Sequence, residues 1–199
     1  MFWAKVTIKG KTSHAGEPEK GSNSIVNAAK LILDLNKSYR NILKRFNSGV
    51  HKSTISIGII KGGENINVVP FKTEILIDRR ITSKENIKFS YAHLKSYLNK
   101  KFKNVKIEFL TGTNPFKSNP KNIYLLNLIK SYKKIKKNSP KFLSSIGVSD
   151  GRYFADDKVN IINVGPGSGD EGHKSNEKLI NKELLENYLI LKDFLNKLN

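Results

Sequence analysis

Apolar and polar side chains alternate along residues 4–9, with Ala4, Val6 and Ile8 set against Lys5, Thr7 and Lys9. That period of two predicts a half-buried strand. The period then lengthens. Ile25, Ala28, Ala29, Ile32 and Leu33 recur at helical spacing, which predicts a helix over 24–45 with Ser22 or Asn23 as its N-cap. Two β-type runs follow at 54–60 and 72–77, then a helical stripe of Ile87, Tyr91, Leu94 and Leu98 within 84–101, and a strand at 105–110. The order β-α-β-β-α-β is the ferredoxin-like plan, an antiparallel sheet with both helices on one face. Both helical stripes are assigned to the core.

The stretch 111–120 is rich in Gly, Asn, Ser and Pro and reads as a linker. Beyond it the pattern predicts a helix over 121–136, a glycine-serine loop at 144–147 and a helical piece from about Asp150. Val159, Ile161, Ile162 and Val164 predict a short buried strand, stopped by Gly165, Pro166 and Gly167, and a closing helix covers 182–198. The chain thus divides into 1–112 and 113–199, an α+β protein overall.

Composition narrows the classes. At 199 residues and 22.5 kDa, with 38% hydrophobic content, the chain can hold one or two small domains with real cores. It contains no cysteine, which removes disulfides and thiolate metal sites and agrees with a reducing cytoplasm. No apolar run reaches transmembrane length, and Met1-Phe2-Trp3-Ala4 leads directly into a strand rather than a signal peptide. The formal charge of +19 raises nucleic-acid binding as a function. The excess is mostly lysine spread through every segment, and the basic-Gly-aromatic signature of an RNA recognition motif is absent, so nucleic acid is not the expected partner. The same charge could attract acidic small molecules.

Candidate chemistry sits in the loops. His14 lies in G-K-T-S-H-A-G-E-P-E-K-G-S-N, just past the first strand, and His173 lies in G-P-G-S-G-D-E-G-H-K-S-N-E, just past the 159–164 run. Loops at strand ends are where chemistry is commonly placed. G-G-E-N-I-N-V-V-P, carrying Asn67, joins the second and third strands, and the third ends in Asp78-Arg79-Arg80. Two adjacent arginines can fork onto a carboxylate or phosphate; the alternative is an ion pair with Asp78. In S-D-G-R-Y-F, Asp150 stands with Arg152 at a helix start; it can cap the helix and form a local ion pair, or take a direct part in the chemistry. His51 and His93 are assigned surface or structural roles.

These four motifs, which run along the chain as the His14 loop, then G-G-E-N-I-N-V-V-P with Asp78-Arg79-Arg80, then S-D-G-R-Y-F and last the His173 loop, resemble the M20 metallopeptidase family from about Val6 onward, a family that includes succinyl-diaminopimelate desuccinylase, acetylornithine deacetylase, aminoacylase and carboxypeptidase G2. The resemblance implies a ferredoxin-like lid and dimerisation domain followed by the C-terminal part of an α/β zinc-peptidase catalytic domain. It implies that His173 ligates one of two zinc ions, with cobalt as the alternative metal. It implies that His14 reaches across a homodimer interface to hold the oxyanion of the tetrahedral intermediate. Asn67 and Arg80 would bind the substrate's carboxylate end, and Gly147 and Ser149 would line the cleft. A zinc pair polarises the scissile carbonyl and acidifies a bridging water, while an oxyanion donor holds the charge that develops. The implied substrate is an N-acylated amino acid or diamino acid, as in desuccinylases or acetylornithine deacetylases, in cytoplasmic amino-acid biosynthesis. The family's H-x-D-x-x-P segment and Glu-Glu pair are missing, so the chain is expected to be a C-terminal portion that is inactive alone. A non-catalytic dimerisation module is the alternative, and a basic nucleic-acid binder a weaker one.

Overall fold

The computed structural model describes residues 1–143, 147, 149–154, 159–167, 171–172 and 174–198. They form two compact units, Met1–Phe116 and Lys117–Asn199.

In the first unit β1 (Phe2–Lys9) leads through a loop to α1 (Ser24–Asp34). Asn23 is the N-cap, its side chain accepting from the amides of Ile25 and Val26 at 2.9 and 3.1 Å. The helix widens to a π-turn over Leu35–Tyr39, continues as α2 (Arg40–Leu43) and is followed by β2 (Thr54–Gly62), β3 (Lys72–Arg80), α3 (Ile87–Lys101) and β4 (Val105–Gly112). The four strands form one antiparallel sheet in the order β2-β3-β1-β4. This is the ferredoxin-like arrangement expected from the pattern.

The core takes alternate strand residues, Phe2, Ala4, Val6 and Ile8 of β1 and Ile75 and Ile77 of β3, with Leu94 and Leu98 of α3. The α1 stripe differs from expectation. Ala28, Leu31 and Leu35 are buried, followed by Tyr39 and Leu43, whereas Ile25 and Leu33 are 39% and 69% exposed. Residues 24–35 carry apolar side chains on two faces, and the sheet can cover only one of them. Val26 of α1 and Ile59 and Ile60 of the edge strand β2 are exposed as well.

The next inward position on β3 after Ile77 is Arg79, and it is completely buried. Its guanidinium pairs with the equally buried carboxylate of Glu85. Glu85 also accepts from Ser53 Oγ at 2.7 Å, Ser90 Oγ at 3.0 Å and the Thr82 amide at 3.2 Å. A charge so far from water is tolerable only when paired and hydrogen-bonded in this way.

In the second unit α4 (Ile123–Lys136) and α5 (Asn181–Leu195) pack together. Asp193 bridges Lys134 at 2.6 Å and Lys197 at 2.5 Å, and Glu186 pairs with Lys136. Asp150–Phe154 form a short 3-10 turn. Two expectations fail here. Residues 159–164 are neither a strand nor buried, Val159 and Val164 being 54% and 46% exposed. A strand exists only as part of a hydrogen-bonded ladder, and no other strand of this unit appears among the described residues. Nor does Arg152 pair with Asp150. It bonds the Tyr153 hydroxyl at 2.8 Å and lies over that ring, 4.7 Å from the centroid.

Candidate functional site

Where β1 ends and β3 begins, two loops far apart in sequence are joined by their backbones. The first, after β1, is closed at its base by Lys11 and Ser22, which exchange amide-to-carbonyl bonds of 2.9 and 2.8 Å. Gly10 permits the closure, since a Cβ there would sit 1.9 Å from the Ser22 carbonyl oxygen. The second loop is fastened to it by the Gly10 amide donating to Phe71 O at 2.6 Å and the Ser24 amide to Pro70 O at 3.0 Å. Beneath them the buried hydroxyls of Ser24 and Thr73 meet at 2.9 Å.

At the tips the Ala15 amide donates to Asn67 O at 3.0 Å and the Val69 amide to Ser13 O at 2.9 Å, making a one-residue bridge between His14 and Val68. His14 and Asn67 are therefore presented side by side, both exposed. The His14 ring is held by the Gly16 amide, which donates to Nδ1 at 3.0 Å.

Arg80 stands at the other end of β3. From Lys72 to Arg80 are eight residue steps of about 3.3 Å, so roughly 26 Å of strand lies between the two places. The period of two also separates the two arginines that sequence order sets side by side. Arg79 turns into the core, and Arg80 turns to the opposite face together with Asp78. Arg80 donates from Nε to Asp78 Oδ1 at 2.7 Å and from Nη2 to Oδ2 at 3.0 Å. Trp3, opposite Asp78 in the β1–β3 register, adds a bond from Nε1 to Oδ2 at 2.9 Å. The two arginines do not fork onto one ligand. Trp3 is the partner that the sequence reading missed, although alternation along β1 puts it on the same sheet face as Asp78 and Arg80.

Gly147 and Ser149 belong to the second unit, Gly147 in an exposed bend and Ser149 at the start of the 3-10 turn, where its carbonyl accepts from the Arg152 amide at 3.1 Å. The Ser149 hydroxyl is buried and finds no hydrogen-bond partner among the described residues. His173 lies outside the described residues. Among the described residues no three His, Cys, Asp or Glu side chains come together to hold a metal ion. Those residues do not by themselves supply a zinc ligand set.

His93 has a structural role. Arg45 Nη2 meets its Nε2 at 2.9 Å, and Tyr39 OH meets its Nδ1 at 3.0 Å. Arginine can only donate, so Nε2 accepts and Nδ1 carries the hydrogen that the Tyr39 oxygen receives. Burial, then the charges of Arg45 and Arg79, lower the His93 pKa below its usual 6.5, and burial pushes the Tyr39 phenol up to about 12.

The chain resembles succinyl-diaminopimelate desuccinylase of Wigglesworthia glossinidia brevipalpis, with 31% identity over 183 residues, covering 91% of this chain and 47% of that protein. A desuccinylase of Wolinella succinogenes shares 26% over 191 residues, covering 94% and 50%. Among solved structures, aminopeptidase PepT of Bacillus cereus superposes with a TM-score of 0.69 at 25% identity, covering 98% of this chain and 52% of its own. An M20 family metallo-carboxypeptidase of Sulfolobus solfataricus shares the fold with a TM-score of 0.73 at 15% identity, covering 98% of this chain and 57% of its own. The chain spans about half the length of the curated relatives it matches. No helix among the described residues is long and apolar enough to cross a membrane. Residues 1–106 match the family described as "Peptidase dimerisation domain", and the chain belongs to the M20 peptidases through this dimerisation domain.

Proposed function

We propose that this chain supplies the dimerising lid, 1–112, and the C-terminal part of the catalytic domain, 113–199, of a cytoplasmic M20 amidohydrolase. The enzyme removes the acyl group from an N-acylated diamino acid, a succinylated one by likeness to the desuccinylases. One observation carries the reading. His14 and Asn67 are fastened together at one end of β3, and Arg80 stands at the other.

A small N-acyl amino acid cannot span roughly 26 Å of strand, so within one protomer His14 and Arg80 cannot serve the same substrate. Two protomers related by a two-fold axis can bring them together, each lending His14 and Asn67 to the site that holds its partner's Arg80. The second apolar face of α1, with Ile25, Val26 and Leu33, and Ile60 of the edge strand, which pairs with the helix-facing Ile75, form a surface suited to that homodimer.

In the shared site Arg80, oriented by Asp78, binds the substrate carboxylate with a charge-assisted hydrogen bond. Asn67 adds a neutral bond at that end, and Gly147 and Ser149 are proposed as cleft-lining residues by resemblance alone. His14 donates to the carbonyl oxygen as charge builds on it. When bound, zinc or cobalt would polarise the scissile carbonyl. His173 is proposed as one ligand, and the other ligands are to come from the N-terminal half that the family carries. The chain alone is accordingly inactive.

The test is complementation. The purified chain is mixed with the N-terminal half of a succinyl-diaminopimelate desuccinylase and zinc, and hydrolysis of N-succinyl-diaminopimelate is followed. Turnover that requires both pieces supports the reading. Turnover by the chain alone would overturn its proposed dependence on the missing half, and none with any N-terminal half and either metal would leave the non-catalytic dimerisation module in its place.

A further inference from the structure

We infer that the backbone amide of Gly16 selects the Nε2–H tautomer of His14, so that this side chain presents a proton donor and not a metal-binding lone pair. The inference rests on the proposed role of His14 at the oxyanion. The Gly16 N–H can only donate, and it points at His14 Nδ1 from 3.0 Å. Nδ1 must therefore offer its lone pair, and the single hydrogen of the neutral ring is left on Nε2. Among the described residues nothing accepts from Nε2.

A histidine that ligates a metal shows the reverse pattern. Its outer ring N–H donates to a carboxylate or carbonyl, which leaves the other nitrogen bare for the ion. Here the outer nitrogen receives a hydrogen, so a bare Nε2 would set two N–H groups against each other at Nδ1.

The direction of the amide is set by backbone on either side of it. The Ala15 amide is bonded to Asn67 O at 3.0 Å, and the Glu17 amide to His14 O at 2.9 Å. Space matters as well. A Cβ on residue 16 would lie 3.1 Å from His14 Nδ1 and 3.6 Å from Cε1, so a side chain there shifts the ring by a few tenths of an ångström against its donor. Gly16 is thus a positioning residue, acting on the substrate only through His14. An imidazole in solution divides between two tautomers, and only one can donate from Nε2 to an oxyanion.

The test is nuclear magnetic resonance on the 15N-labelled full chain at about pH 8.5, well above the ordinary imidazole pKa of about 6.5. Long-range correlations place the ring hydrogen, and a scalar coupling across the hydrogen bond identifies the Gly16 N–H as the donor. The expected result is Nε2 protonated and a coupling between the Gly16 nitrogen and Nδ1. Gly16→Pro, which has no N–H, should lose the coupling and return His14 to mixed tautomers, while Gly16→Ala should keep the donor but weaken the coupling. Nδ1 protonation in the wild type, or no coupling, would overturn the inference; either reading holds even if Gly16→Pro fails to fold. His14→Ala separates the two readings. Full turnover by that variant in the complemented enzyme would refute the oxyanion role while leaving the tautomer result standing.

Discussion

Removing the Glu85 carboxylate should be among the most damaging single changes in the first unit. Arg79 and Glu85 are both fully buried, and Glu85→Ala strands the guanidinium charge in the core while removing the acceptor of Ser53, Ser90 and Thr82. Losing one partner of a buried pair costs about 3–5 kcal/mol, more than the 0–1 kcal/mol of an exposed pair. With a urea dependence of about 1.5 kcal/mol per M, the midpoint should fall by about 2–3 M. The fluorescence of Trp3, the sole tryptophan and part of the same sheet, follows that transition. Replacing both partners, as Arg79→Met with Glu85→Leu, should recover the part of the loss that comes from the stranded charge, while the Ser53, Ser90 and Thr82 donors still lack their acceptor. A midpoint shift below about 0.5 M for Glu85→Ala, or a double variant as weak as the single, would refute the argument. The site depends on this pair indirectly, since Arg79 anchors the strand end from which Arg80 faces outward.

His93 gives the fold a pH dependence. Its folded pKa lies below its unfolded value, so the unfolded chain takes up the proton first. The stability present above about pH 6.5 is lost as pH falls below it; urea midpoints for wild type and His93→Asn should converge on acidification, and parallel curves would contradict the assignment. Leu33→Asp sets a charge on the proposed dimer face. A penalty of about 3 kcal/mol weakens association more than a hundredfold, so light scattering should give 22.5 kDa for the variant and twice that for the wild type. Equal masses would remove α1 from the interface.

The ferredoxin-like half was legible because its strands alternate and its helices carry stripes, both local consequences of chain geometry. The outward turn of Ile25 and Leu33 was not, because two apolar faces on one helix look alike until the sheet covers one of them. The separation of Arg79 from Arg80 follows from strand periodicity, but the burial of Arg79 depends on Glu85, which arrives from beyond a turn. Residues 159–164 have a strand's composition without a partner ladder, and pairing is a non-local property. The joining of the His14 and Asn67 loops likewise depends on strand register, which no local pattern specifies.

One site is proposed to draw His14 from one protomer and Arg80 from the other. The most direct test is subunit mixing in the complemented enzyme, with His14→Ala and Arg80→Ala chains measured apart and then together. Each alone should be nearly inactive. In an equal mixture half of the dimers are mixed and each restores one of its two sites, so about a quarter of wild-type turnover should return. If the mixture stays at the level of the single variants, both residues serve their own protomer's site, and the account of a shared site is wrong.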